Sequence, residues 1–481
     1  MSASAAKKKS GQSLAEWDPE AFRDSIATVD AQGKRKWIFP KKPEGRLYNA
    51  RKIVAYLCIA LLFAGPFIKI NGQPLLLLNI IERKFVIMGL IFWPQDFHLF
   101  MLAMVTFFVF IVLFTVIFGR IWCGWTCPQT IFMEMVFRRI EYWIEGDAAQ
   151  QRRLSEMPWN EEKILKRGGK LFLFALVSLV IGNAVMAYII GIEELEKAVL
   201  LAPTENWGSF SFVLIFSALF FFVFTYLREQ ACIAICPYGR LQGVLLSKES
   251  LVVSYDHVRG EPRGRMTKTD EGLKTAEGNG DCIDCKLCVA VCPTGIDIRH
   301  GTQLECINCT ACMDGCDSIM DKVGKARGLV RIASHTGIET KTPFKVTPRI
   351  IAYSAVLLLL ATVLVTLLAS RSSIETTILR APGTLFQTQE EGWISNMYTY
   401  EIVNKTMESY PIEVRVADPE GGRVRIVGQQ MVVPPQELAK GVFFLDLPKE
   451  KALGQKHKIQ FEIWSGDKKL EEVSTNFLGP L

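Results

Sequence analysis

Eight of the thirteen cysteines in this chain lie in two short runs that share one spacing. The first run is Cys282, Cys285, Cys288 and Cys292, and the second is Cys306, Cys309, Cys312 and Cys316. This is the spacing of bacterial two-cluster ferredoxins. Soft thiolate ligands are the ones that iron–sulfide clusters prefer. The two runs therefore predict a domain that folds around two [4Fe–4S] clusters and transfers single electrons.

The same spacing predicts the ligand sets, because the fourth cysteine of each run binds the cluster of the other run. One predicted cluster takes Cys282, Cys285, Cys288 and Cys316, and the other takes Cys306, Cys309, Cys312 and Cys292. Zinc is the alternative metal, but zinc sites use two cysteine pairs, or one pair with histidines. Pro293 follows the first run as in the motif, whereas Asp317 stands where a second proline is expected.

Five long apolar stretches predict membrane-spanning helices, since about 17–25 residues cross a bilayer. They cover roughly 50–70, 97–119, 170–191, 209–228 and 349–369. A further apolar segment, 73–95, is interrupted by Glu82, Arg83 and Lys84. Three ionisable groups in the middle of a bilayer are costly. We therefore expect this segment to be interfacial or re-entrant and the chain to have five spans in contact with lipid.

The loops between the predicted spans differ in charge. Residues 120–170 carry nine lysines and arginines, whereas residues 192–208 carry one lysine and four glutamates. Because cytoplasmic loops are enriched in Lys and Arg, loop 120–170 is predicted to be cytoplasmic. The N-terminus and the cysteine-rich region are then also cytoplasmic, and the C-terminus lies outside. The net charge of +6 comes without an arginine-rich pattern, so no nucleic-acid partner is expected.

The C-terminal region has the sequence pattern of short strands. Apolar and polar residues alternate at 398–403 and 458–463, and turn sequences such as 418–422 separate such runs. This pattern favours an immunoglobulin-like β-sandwich. The predicted domains are a cytoplasmic tail (1–49), a membrane domain with four spans (50–254), a ferredoxin domain (255–345), a fifth transmembrane helix (346–370) and a β-sandwich (371–481).

Two further cysteine pairs occur in matching C-x-x-x-C-P motifs. They are Cys123 and Cys127 before Pro128, and Cys232 and Cys236 before Pro237. Each motif follows a predicted span that ends on the same side of the membrane. Proline suits the first position of a helix, and a cysteine at a helix N-terminus has a lowered thiol pKa. The four thiolates could bind Cu(I), hold a further cluster or cycle as disulfides, whereas lone buried cysteines such as Cys58 are usually structural.

The chain resembles the cytochrome c oxidase accessory protein family, of the CcoG/FixG type, over nearly its whole length. The resemblance lies in Trp122-Cys123-Gly124-Trp125-Thr126-Cys127-Pro128, in Cys236-Pro237-Tyr238-Gly239-Arg240, in the double cysteine run and in the outer sandwich. It implies a membrane polyferredoxin of the bacterial inner membrane with a periplasmic C-terminus. It further implies reduction of Cu(II) to Cu(I) for assembly of a high-affinity haem–copper oxidase, with copper chaperones or oxidase subunits as partners.

On this interpretation Cys123, Cys127, Cys232 and Cys236 are the catalytic residues, which hold the copper ion while it is reduced. Two alternatives stay open. The membrane half also resembles the polyferredoxins of periplasmic nitrate and nitrous oxide reduction, which implies a quinol dehydrogenase that supplies a periplasmic reductase. Asp96 and His98 would then be candidates for a quinol site. The other alternative is a non-enzymatic scaffold for oxidase assembly.

Overall fold

The computed structural model describes residues 28, 29, 32 and 34–480 apart from short gaps. The gaps are 71, 80–83, 94–95, 201–204, 270–271, 276–277, 373, 384–385, 390–391, 407, 428–431, 436 and 453–455. Contacts divide the chain into two compact units. One unit contains residues 1–69, 74–84 and 100–362, and the other contains 70–73, 85–99 and 363–481.

Five helices in the described part of the chain are long and apolar enough to span a membrane, which confirms the predicted number. They are Arg46–Ala64, Phe97–Phe118, Glu161–Ile190, Trp207–Leu227 and Pro348–Ala369. The third helix begins nine residues before the predicted start. Asn160 caps it by accepting the N–H of Lys163 at 2.9 Å, and Glu161 and Glu162 occupy the first turn, where acidic side chains favour helix formation.

The segment between the first two spans forms short strands and not a sixth helix. The strands are Lys69–Ile70, Gln73–Pro74, Leu76–Asn79, Lys84–Ile87 and Leu90–Phe92. The last two form an antiparallel hairpin in which Phe85 lies opposite Phe92. Its turn residues, Met88 and Gly89, both have positive φ, as a two-residue hairpin turn requires. The expectation that this segment does not span the membrane is confirmed, although Glu82 and Arg83 lie outside the described residues.

Both C-x-x-x-C-P motifs open helices, as predicted. Pro128 is the first residue of Pro128–Ile131, and Pro237 is the first residue of Pro237–Leu245. Unusual π-helical segments adjoin both motifs, and such segments occur mostly at functional sites. These segments are Phe132–Phe137, Val223–Leu227 and Ala231–Ile235; the remaining helices of this region are Ile121–Trp125, Arg138–Ile144, Ala148–Glu156 and Ile192–Leu200.

A buried network of charges joins the helix ends near these motifs. Arg228 donates to both carboxylate oxygens of Glu141, with N–O distances of 2.6 and 2.9 Å. The neighbouring charged residues pair with one another around this contact; they are Arg35, Glu134, Arg138, Glu145, Lys170 and Glu229. The network contains as many cations as carboxylates, so its burial leaves no net charge uncompensated.

The ferredoxin domain is enclosed by two antiparallel strands, Val252–Tyr255 and Val330–Ala333. Its helices are Leu287–Ala290, Ile298–His300 and Ala311–Lys322, with His257–Gly260, His335–Thr340 and the paired strands Met266–Thr269 and Gly272–Thr275 beside them. The carboxylate of Asp314 accepts the N–H groups of Leu47 and Tyr48, at 3.2 and 2.7 Å. These N–H groups open the first spanning helix, so the ferredoxin domain supplies the partner that this helix end lacks.

The C-terminal unit contains two antiparallel sheets, as expected for an immunoglobulin-like sandwich. The strands of the first sheet are Ile374–Arg380, Gln387–Thr388, Trp393–Asn404, Leu438–Pro448 and Arg423–Ile426. The strands of the second sheet are Glu413–Asp418, His457–Ser465 and Lys468–Phe477. In addition, the short strand Tyr410–Pro411 pairs with Val432–Val433. The alternating residues face inward, and Tyr398, Phe443 and Phe461 are fully buried among them. The described core is aromatic and aliphatic, so its burial stabilises this unit.

Asp96 has a structural partner in this same unit. Its carboxylate pairs with Arg371 and accepts from the Lys405 ammonium at 2.8 Å, and Lys405 also reaches Glu375 at 2.7 Å. Asp96 is 2% exposed. A carboxylate held by two cations stays ionised and is a poor proton acceptor, so the contacts of Asp96 favour a structural role over proton transfer at a quinol site.

We predict that Arg228→Gln destabilises the protein by about 3–5 kcal/mol, because it leaves Glu141 buried without its bidentate partner. The measurement is thermal unfolding of the purified protein in detergent. Lys166→Gln is the matched control, since Lys166 pairs with Glu162 at 2.6 Å on an exposed surface where ion pairs contribute little. Equal melting temperatures for the two variants would contradict the assigned role of the buried network.

Candidate iron–sulfur and thiol sites

The first set of predicted ligands lines one cavity of the ferredoxin domain. Cys282, Cys285, Cys288 and Cys316 surround it together with apolar residues that include Tyr255 and Leu329. Cys285 is exposed, whereas Cys282 and Cys288 are buried. Three cysteines of the first run and the last cysteine of the second run therefore share one cavity.

The second set lines a separate cavity. Cys292, Cys306, Cys309 and Cys312 surround it, with Ile296 and Ile307 among the apolar residues of its wall. Cys288 contributes to the walls of both cavities, so the two are neighbours in the domain. The structure thus brings the predicted ligands together in the same two groups that the spacing indicates.

The backbone around the second cysteine of each run has the same unusual conformation. Asp284 and Lys286 flank Cys285 with φ of 53° and 58°, and Asn308 and Thr310 flank Cys309 with φ of 50° and 63°. Such left-handed residues cost energy and persist where the surrounding structure requires them. Here they wind each run tightly enough to turn several thiols toward one cavity.

The donor sets fit iron–sulfur clusters better than single metal ions. Within the described residues, no three His, Cys, Asp or Glu side chains approach closely enough to hold one ion. Four thiols around zinc would each lie about 2.3 Å from the metal and would converge closely. Near the second cavity, Arg51 Nη2 and Arg120 Nε are buried donors without a hydrogen-bond partner. Cluster sulfurs accept such hydrogen bonds.

The cysteines of the two C-x-x-x-C-P motifs form one group. The Cys123 and Cys232 thiols interact electrostatically with each other and with those of Cys127 and Cys236. The amide of Gln242, which is fully buried, donates to Cys123 Sγ at 3.4 Å. We call these four cysteines the membrane thiol group.

Burial changes the acidity of two members of the membrane thiol group. It raises the pKa of Cys123 to about 11 and that of Cys232 to about 12. The sequence suggested thiolates at the second cysteine of each motif, but burial dominates at the first cysteine. Without a metal these two thiols are protonated at neutral pH, so binding of a soft metal ion must release their protons.

The membrane thiol group lies directly against the second cavity. A Cβ atom on Gly124, next to Cys123, would be 2.3 Å from the carbonyl oxygen of Ile307 and 3.0 Å from Cα of Cys309. Arg51 fixes this approach by donating from Nε to the Gly124 carbonyl at 2.6 Å. Arg120 donates to the carbonyls of Leu304 and Gly239, and so links the second run to the second motif.

Gly124, Arg51, Arg120 and Gln242 were not predicted from the sequence as site residues. The available signal was an arginine inside or beside an apolar stretch, since a charge at such a position needs a specific partner. Gly124 stood out only as a member of the family motif, because only the folded structure shows which backbone approaches it.

Comparison with known proteins identifies the class of this architecture. A model of a 4Fe–4S binding domain matches residues 100–146, and a model of a 4Fe–4S dicluster domain matches residues 227–335. The model of the IG-like fold at the C-terminal of FixG matches residues 364–480. The nitrogen fixation protein FixG of Rhizobium meliloti is 31% identical over 463 residues, which cover 86% of this chain and 87% of FixG. This chain belongs to the FixG family.

Other members of the FixG family and a solved structure are also similar. Protein RdxA of Cereibacter sphaeroides is 33% identical over 425 residues, which cover 85% of this chain and 88% of RdxA. The crystal structure of a FixG-related protein from Vibrio parahaemolyticus matches 23% of this chain and 100% of that chain, with 22% identity and a TM-score of 0.19. The identity to FixG and RdxA and the matches to the two 4Fe–4S models confirm the predicted family and the iron–sulfur electron-transfer class.

We predict that Gly124→Ala destabilises the protein by about 1–3 kcal/mol, because the added Cβ overlaps backbone atoms that cannot rotate away. Hydrogen exchange should also become faster around Ile307. The matched control is Gly168→Ala in the third spanning helix, where a Cβ meets no atom within 4 Å. If the two alanine variants unfold at the same temperature and exchange alike, the close approach at Gly124 is not present.

Proposed function

We propose that this FixG-family protein reduces Cu(II) to Cu(I) with single electrons from two [4Fe–4S] clusters, for assembly of a high-affinity haem–copper oxidase. The observation that carries this proposal is the contact of Gly124 with Ile307 and Cys309. Because of this contact the membrane thiol group lies beside the second cavity, whose five cysteines include the four proposed ligands of one cluster. The copper step also draws on the resemblance to oxidase accessory proteins.

The proposed cluster ligands are the two groups that share a cavity. Cys282, Cys285, Cys288 and Cys316 form the first site, and Cys292, Cys306, Cys309 and Cys312 form the second site. When bound, such clusters supply reversible one-electron oxidation and reduction at low potential. The apolar walls of both cavities exclude water from most of the thiols, and the left-handed turns hold the thiols in place.

The proposed copper ligands are Cys123, Cys127, Cys232 and Cys236, whose thiols would have to move together around the ion, since they are not spaced to hold one ion as they stand. In the reaction one electron passes to Cu(II), which becomes Cu(I), and the donor site is oxidised by one electron. Thiolates are soft ligands and favour Cu(I) over Cu(II), so these side chains stabilise the product. Gln242 keeps Cys123 oriented through its amide hydrogen bond. The proton released by a thiol on metal binding goes to solvent or to a neighbouring base.

We further propose the orientation that the charge of the loops indicates. The N-terminal tail, the ferredoxin domain and the membrane thiol group then face the cytoplasm of a bacterial inner membrane, and the sandwich faces the periplasm. In that orientation the exposed Cys285 side of the first site is accessible to a cytoplasmic reductant. The sandwich is then available to copper chaperones or oxidase subunits outside.

We predict that ligand variants sort by cavity and not by run. Cys285→Ala and Cys316→Ala should remove the same EPR signal from the reduced protein, because both side chains line the first cavity. Cys309→Ala and Cys292→Ala should remove the other signal. Each variant should lose half of the iron. If Cys285→Ala and Cys292→Ala, made separately, remove the same EPR signal, each run binds its own cluster and the grouping by cavity is wrong.

We predict that Cu(II) oxidises the dithionite-reduced protein stoichiometrically under anaerobic conditions. Stopped-flow absorbance follows the clusters, and a Cu(I)-specific chelator measures the product. A variant with serine at Cys123, Cys127, Cys232 and Cys236 should be oxidised at least tenfold more slowly, while its iron content stays unchanged. Cys58→Ser is the matched control, since Cys58 lies in a spanning helix outside the membrane thiol group. If the wild-type clusters stay reduced with copper present, the protein is not a cupric reductase.

A further inference from the structure

Three buried side-chain nitrogen atoms near the second site have no hydrogen-bond acceptor. Arg51 and Arg120 are 2% and 5% exposed, and Asn308 is 2% exposed. Arg51 Nη2, Arg120 Nε and Asn308 Nδ2 have no hydrogen-bond partner. Buried donors of this kind are costly unless an acceptor satisfies them. The thiols of Cys306 and Cys309 are the sulfur acceptors that the two arginines act on.

The two arginines lie close to thiols of the second site. The Arg51 guanidinium interacts electrostatically with Cys309, and the Arg120 guanidinium interacts with Cys306. Among the described residues, no carboxylate pairs with either guanidinium, and both arginines donate to backbone carbonyls. Glu134 is the acidic group that acts on Cys309, and it pairs with Arg138 at 3.3 Å. The positive charge beside the second site is therefore only partly compensated.

The first site has a different balance of charge. Arg299 is the cation near Cys288, but it is neutralised by Asp297 at 2.6 Å and by Asp284. Asp317 adds a further negative charge, which acts on Cys316. Lys286 also lines the first cavity, so two cations and three carboxylates lie near the first site, whereas cations are in excess at the second.

We propose that Arg51, together with Arg120, gives the second site a higher reduction potential than the first site. Reduction adds negative charge to a cluster, and positive charge or hydrogen bonds to sulfur stabilise the reduced form. The inference rests on the proposed function, since it takes both cysteine sets as cluster ligands. Its consequence is directional: an electron is more stable at the second site, which contacts the membrane thiol group through Gly124.

Arg51 is in this account a positioning residue as well as a source of charge. Its Nε holds the Gly124 carbonyl at 2.6 Å, and its positive charge acts on Cys309 of the second site. One side chain of the first spanning helix thus fixes the distance between the two sites and favours electron occupancy of the nearer one.

The test is a potentiometric titration of the whole purified protein in detergent, followed by EPR. Cys285→Ala and Cys309→Ala assign the two signals. Arg51→Gln removes the charge and should shift the midpoint potential of the second site downward, while the first site stays unchanged and serves as an internal reference. Arg51→Lys keeps the charge without the planar donor group and should give a smaller shift. The matched control is Arg46→Gln, an exposed arginine of the same helix, which should shift neither potential.

Several results would overturn the inference. One such result is a wild-type protein in which the first site has the higher potential. Another is an Arg51→Gln variant in which both potentials move equally or neither moves. If Arg51→Gln does not fold, Arg120→Gln makes the same prediction from the other side of the cavity. Failure of the copper reaction in a wild type with the predicted potentials would contradict the proposed function alone.

Discussion

The close approach of Gly124 to the loop that carries Ile307 and Cys309 is the contact on which the rest of the arrangement depends. It needs a residue without a Cβ, and it needs Arg51 to hold the Gly124 carbonyl at 2.6 Å. Because of it, the membrane thiol group and the second cysteine site lie side by side and not in separate domains. Without this contact the chain would contain a ferredoxin and a set of membrane cysteines with no route between them.

The surrounding structure supports this contact with buried polar interactions. Asp314 of the ferredoxin domain caps the first spanning helix, and Ser250 donates to the Val116 carbonyl at 2.7 Å at the end of the second. The Arg228–Glu141 pair fixes the helix ends near the C-x-x-x-C-P motifs. Each of these polar groups is stabilising only with its partner in place, so the network favours one arrangement of the helices. A substitution that removes one member of a buried ion pair leaves the other charge without a partner, so few substitutions are tolerated there.

Much of this architecture could be predicted from the sequence, for physical reasons that differ between elements. Apolar length predicts the five spans, and alternation predicts the sandwich strands, because both patterns reflect which face is buried. Cysteine spacing predicts which thiols share a cavity, since a tight turn brings three neighbours together and the motif takes the fourth from the other run. The roles of Arg51, Gly124 and Gln242 depend on contacts between residues far apart in the chain. The third helix began early because Asn160 and two glutamates extend it beyond the apolar stretch.

The central claim is that this FixG-family protein holds two one-electron centres and delivers their electrons singly. Coulometric reduction of the anaerobically purified protein, with metal analysis of the same sample, tests it most directly. The account predicts iron and sulfide in equal amounts, and two one-electron steps per chain, as expected for a dicluster domain. Zinc in place of iron, or one step that takes two electrons together, would contradict it.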